Sequence, residues 1–224
     1  MKTFSDCWEI TRKAALCLGV TLFALNAGAN NIVYNNSTGD LTTRFNPGAS
    51  EVGDEIQLGN LTGIDPIIVT GFQMQYWGLN VGGSASAQVR FYANDGSPYD
   101  ANTLMPGTML WDSGVFGIGS TDRATLIWDV NELGGGVQVP DSFTWTVQFS
   151  NVGDGTAGVD LYSPPTVGSS YTDCWIKVGD TWQINDSGEA NLDFAAIIVA
   201  VPEPSMLLWL VGGAGLVLVA RRRR

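Results

Sequence analysis

Histidine is missing from all 224 residues. Its absence removes Ser-His-Asp and Cys-His catalysis in their usual forms, and with them most zinc and copper sites. Cysteine is nearly missing. Of three, Cys7 and Cys17 lie near the N-terminus, and only Cys174 lies beyond residue 29. One thiol forms no intramolecular disulfide. Beside Trp175 it reads as a small core residue rather than a nucleophile. Positive charge is also scarce. Lys2, Arg12 and Lys13 at the start and four arginines at the end account for seven of the eleven basic residues, leaving Arg44, Arg90, Arg123 and Lys177. Of the 22 acidic residues only Asp6 and Glu9 precede Asn30, so residues 30–204 hold 20 acids against 4 bases, a net charge of −16. Such a surface repels nucleic acid and anionic lipid heads. It suits solubility, divalent cations or neutral sugars. Glutamate is sparse between 30 and 200, at Glu51, Glu55, Glu132 and Glu189. Aspartate sits mostly in glycine-containing turns, where its side chain bonds its own backbone. A glycosidase needs two carboxyls facing each other across a sugar. No pair stands out here, so no catalytic residue is assigned.

Helical periodicity is absent between Asn30 and Val201, and period-2 alternation takes its place. In Phe143–Phe149, the residues Phe143, Trp145, Val147 and Phe149 share one face, and Thr144, Thr146 and Gln148 the other. Phe72, Met74 and Tyr76 alternate with Gln73 and Gln75, and Val89 and Phe91 with Gln88 and Arg90. Further strands are expected over Ala124–Val130 and Leu192–Ile198, and shorter ones near Asp54–Leu58, Thr108–Trp111, Gly158–Tyr162, Trp175–Val178 and Thr181–Ile184. Gly, Asn and Asp separate them at 94–96, 112–114, 134–136, 154–155, 179–180 and 185–188. The pattern predicts an all-β fold, an antiparallel, jelly-roll-like β-sandwich over residues 30–200.

The two ends carry addresses. Lys2, Arg12 and Lys13, then the apolar run Ala14–Leu25, then Ala27-Gly28-Ala29 read as a signal peptide over residues 1–29, cleaved after Ala29. Sec translocon and signal peptidase are its partners. At the other end, Pro202 and Pro204 enforce extended backbone around Glu203. The uncharged run Met206–Ala220 follows. Its 15 residues make a helix of about 22 Å, short of a bilayer core of about 30 Å. Snorkelling by Arg221, Arg222, Arg223 and Arg224 extends the span and fixes those arginines on the cytoplasmic side. One C-terminal transmembrane helix is therefore expected.

Val201-Pro-Glu-Pro-Ser205, a short apolar segment and a terminal arginine cluster together resemble the PEP-CTERM sorting signal of bacterial exported proteins, a segment also called the ice-binding protein C-terminal domain. The resemblance covers residues 201–224. It implies an exosortase that recognises Pro202, Glu203 and Pro204, a temporary anchor at 206–220, and a stop signal at Arg221–Arg224. It also implies an association with extracellular polysaccharide. A second likeness, to the β-domain of many uncharacterised PEP-CTERM proteins, is carried by Val89–Gly96, Pro106–Gly114 and Phe143–Phe149. It implies the fold alone.

Two binding chemistries are compatible with the β-domain. Asn151, Asp154 and Asp160 place oxygens around glycines, as calcium requires, although the spacing is not that of an EF-hand loop and turn use explains the same residues. No other cofactor is expected. Trp111, Trp175 and Trp182 near strand ends would form a sugar-stacking platform if exposed; filling the sandwich is the competing use. The expected function is that of a non-enzymatic structural or adhesive protein at the cell surface or in the extracellular matrix, sorted by its tail. A carbohydrate-binding module is the alternative, and a carboxylate-dependent polysaccharide-active enzyme ranks behind both.

Overall fold

The computed structural model describes residues 31–60, 67–186 and 191–202. Among the described residues no helix is long and apolar enough to cross a membrane. The expected signal peptide and the apolar run at 206–220 lie outside the described residues. The strands, in chain order, are β1 (Asn31–Asn36), β2 (Asp40–Phe45), β3 (Glu51–Gln57), β4 (Ile67–Leu79), β5 (Ser86–Ala93), β6 (Met109–Asp112), β7 (Phe116–Gly117) and β8 (Thr121–Trp128). They continue with β9 (Val137–Val139), β10 (Ser142–Ser150), β11 (Thr156–Tyr162), β12 (Ser169–Ser170), β13 (Cys174–Val178), β14 (Thr181–Asn185) and β15 (Ala196–Pro202).

Two antiparallel sheets result, as the alternation requires. One runs β1-β15-β4-β11-β2, with β8 and β9 also paired to β4. The other runs β14-β13-β3-β10-β5-β6, with β12 on β3 and β7 on β5. Between them the aromatic residues interlock. Phe72 of the first sheet meets Phe91 at 5.1 Å and Trp145 at 5.2 Å in the second, both edge-on. Trp145 also meets Phe194 at 5.7 Å. Edge-to-face contact sets the positive ring edge against the negative ring face, which adds to the gain from burial.

The chain departs from simple alternation at three places. In β4, Ile67 and Val69 are buried, then Phe72, Met74 and Tyr76. The parity changes because β15 pairs Val199 with Gly71 but Ala200 with Val69. Such a bulge changes the parity of the positions that face the core, from odd to even, so a period-2 reading finds only the half beyond it. The strand expected over Ala124–Val130 stops at Trp128. There the Asp129 carboxylate accepts from the Asn131 and Glu132 N–H groups and turns the chain, leaving Val130 exposed. The strand expected from Leu192 begins at Ala196; Leu192 and Phe194 are buried ahead of it, and Phe194 makes only an isolated bridge to Leu161.

Candidate functional site

The outward face of the second sheet carries a connected polar network beside a groove. In β10, Thr144 and Thr146 are fully buried although both point away from the aromatic core. Register explains why. Thr146 lies between Gly53 of β3 and Arg90 of β5, and Thr144 between Glu55 and Tyr92. Glu51 anchors the group at 4% exposure. Its Oε1 accepts from Thr146 Oγ1 at 2.7 Å and from the Tyr92 hydroxyl at 3.1 Å. Its Oε2 lies 3.0 Å from Arg90 Nη1 and 3.6 Å from Lys177 Nζ. Arg90 Nε donates to Asp112 Oδ2 at 3.1 Å, and Gln88 Nε2 meets both Asp112 oxygens. Burial works to raise the Asp112 carboxyl. Gln88, the Gly114 N–H and Arg90 outweigh it and hold the group below the usual carboxylate range.

A groove of about 720 Å³ opens on this face, lined by Glu51, Arg90, Tyr92, Asp112, Gln148 and Lys177 among others. Hydrogen-bonding side chains and one aromatic edge can hold a polar, hydroxyl-rich ligand. Proton transfer is poorly served. Both carboxylates contact the same guanidinium, and Asp112 is held ionised, whereas a general acid needs a raised pKa.

None of the residues singled out in the sequence lines this groove. Trp175 and Trp182 are 2% and 6% exposed and form a small cluster with Tyr92 on the outer face of the second sheet. Tyr99 packs edge-on against Trp175 at 5.5 Å, and Lys177 Nζ sits 5.1 Å from the Trp182 ring centre. Trp111 is on the opposite, core-facing side, 4.9 Å from Phe91. The three tryptophans therefore share no exposed face. Asn151 and Asp154 occupy the exposed turn before β11, while Asp160 is buried within β11. Asp160 lies between two arginines, 3.2 Å from Arg44 Nε and 3.2 Å from Arg123 Nε. Its oxygens are thus engaged by cations of the chain itself. No group of three or more His, Cys, Asp or Glu side chains placed to hold a metal occurs among the described residues. Cys174 is buried and free, and burial pushes its thiol up to about 12, which suits a core residue.

One polar cluster was not anticipated. Asp54 of β3 is fully buried, with Val52 and Ile56 as its same-face neighbours. It accepts from Ser170 Oγ and, at 3.0 Å, from the Phe194 N–H. Asp193, 3% exposed, and the buried Tyr34 stand close by. Burial raises the Asp54 and Asp193 carboxyls, most strongly Asp54. A charged residue in the apolar phase of β3 was the available signal. A carboxyl raised in the folded state stabilises fully below its unfolded pKa of about 3.9 and loses that contribution as pH rises toward the folded value. Asp54→Asn imitates the protonated form. The melting temperature of the variant minus that of the wild type should therefore climb from pH 4 to pH 8 in a calorimetric series. A difference that stays flat across the series would mean that Asp54 holds no raised pKa.

The sorting segment meets the domain at β15. Val201 pairs with Ile68 and Pro202 with Ile67, so the strand runs two residues beyond the expected domain end at 200. Glu203, Pro204 and Arg221–Arg224 lie outside the described residues, as do Ala27 and Ala29. No curated protein matches the chain. Among solved structures, a chain from the structure of infectious bursal disease virus, Gt strain, aligns with 80% of this chain at 10% identity. The TM-score is 0.30 and only 42% of that chain is covered, a likeness too slight to carry an argument. Residues 200–224 match the PEP-CTERM protein-sorting motif, so the chain carries the C-terminal sorting signal of an exported protein.

Proposed function

We propose that this is a non-enzymatic structural or adhesive β-sandwich of the cell surface or extracellular matrix, delivered there by exosortase sorting. The observation that carries the proposal is the motif at 200–224, joined directly to an antiparallel domain. In this reading residues 1–29 direct export through the Sec translocon and are removed by signal peptidase. An exosortase then reads Pro202-Glu203-Pro204, the apolar run 206–220 holds the chain in the membrane, and Arg221–Arg224 stay on the cytoplasmic side. The acidic surface keeps the released domain soluble and apart from nucleic acid. Engagement of Glu51 and Asp112 by Arg90 supports a non-catalytic role. The carbohydrate-binding alternative rests on the groove alone, since Trp175 and Trp182 offer no stacking surface.

The test replaces Pro202, Glu203 and Pro204 together by alanine in an exosortase-bearing host. The variant should accumulate at full length in the membrane fraction while the wild type is trimmed. Equal trimming and release of both proteins would remove the sorting proposal.

A further inference from the structure

The motif begins at residue 200, and β15 ends at Pro202. Its first three residues are therefore already part of the folded sheet. β15 is an interior strand there. On one side Ala196 to Pro202 pair with Met74 to Ile67 of β4. On the other, Asn36 to Asn31 of β1 pair with Ala196 to Ala200. Ile198 and Ala200 are fully buried and Ala196 nearly so. The ladder is two-sided up to Ala200; Val201 and Pro202 pair only with β4 among the described residues. Pro202 has no N–H to offer on either side.

Peptide-processing enzymes commonly bind their substrates as extended strands and satisfy the backbone themselves. A strand paired on both edges has no free backbone groups for that purpose. Cutting upstream of Ala200 would require pulling β15 from between β1 and β4. That would expose Ala196, Ile198 and Ala200, and would unpair β1 as well. Along the described strand, Val201 is the first position past the pairing with β1, where one backbone edge becomes available.

We propose that the folded β-domain sets the upstream limit of exosortase processing: the cut falls after Pro202, and β15 stays whole in the product. The inference rests on the sorting proposal above and adds a boundary that the motif alone does not define. With no spacer between sheet and motif, the domain also crowds the enzyme, and the docked end of β15 must fray for residues 201 and 202 to be read. Processing is then slowed by the fold.

Two measurements on the full chain in an exosortase-bearing host test this. The intact mass of the product should place its C-terminus at Pro202 or later. A variant with six Gly/Ser residues inserted between Pro202 and Glu203 should be trimmed several-fold faster in a pulse-chase experiment. A product ending upstream of Pro202, or an insertion that leaves the rate unchanged, overturns the inference while leaving exosortase sorting in place. Trimming that does not depend on the exosortase overturns the sorting proposal itself and this inference with it.

Discussion

Glu51→Ala is expected to lower the unfolding free energy by about 3 kcal/mol, the low end of the range for breaking a buried ion pair. Four groups converge on this carboxylate: Thr146, Tyr92, Arg90 and Lys177. Alanine leaves the fully buried Thr146 hydroxyl with only its long, 3.4 Å contact to the Arg90 carbonyl. It also leaves Arg90, whose side chain is 16% exposed, with Asp112 as its remaining counter-charge. Asp112 and the partial exposure of Lys177 keep the loss from the top of the range. Glu51→Gln retains an acceptor but removes the charge, and should cost about 1.5–3 kcal/mol. Urea unfolding of both variants checks this. A Glu51→Ala protein within the ordinary scatter of surface substitutions, about 0.5 kcal/mol, would show that the outer face of the second sheet is not organised around Glu51.

Trp145→Ala should cost a further class of energy, about 3–5 kcal/mol, because it opens a cavity between the sheets. The indole is fully buried and contacts Phe72 of the facing sheet and Phe194, which bridges to Leu161 of that same sheet. Both edge-to-face contacts vanish with it. Its Nε1 finds no hydrogen-bond partner among the described residues. Trp145→Phe removes that donor while keeping a ring, so its cost should fall well below that of alanine, to about 1.5 kcal/mol or less. Denaturant midpoints of the two variants separate the terms. Equal losses in both would mean that a phenyl ring restores none of the packing and that the cavity between the sheets is not the source of the cost.

The strands that were legible in the sequence are those where one face alone decides the pattern. Phe143–Phe149 and Val89–Phe91 alternate because their core side is aromatic or aliphatic throughout. β1 and β2 gave no such signal. β1 buries adjacent residues, Val33 and Tyr34, at a register shift, and β2 is largely polar and exposed. In β4 the bulge at Thr70–Gly71 hid the first half of the longest strand. The polar groove was illegible for a different reason. Glu51, Arg90, Asp112 and Lys177 come from four strands, and nothing in their spacing announces that register will bring them within 4 Å.

By itself the sequence determined the address. A sorting signal is read as a linear segment, so its proline, glutamate, apolar and arginine order is complete in residues 200–224. It also determined the fold class, because period-2 burial is a local property of extended backbone. Tertiary structure decided which carboxylates are free. Asp160, compatible in the sequence with a calcium ligand or with ordinary turn use, is engaged by Arg44 and Arg123, which lie 116 and 37 residues earlier in the chain. It decided that Trp175 and Trp182 are buried rather than displayed. It also decided that the sorting signal starts inside a paired strand, where Asn31 lies opposite Ala200. Each of these depends on contacts between distant residues, which the pairing of strands creates and the order of residues alone does not specify.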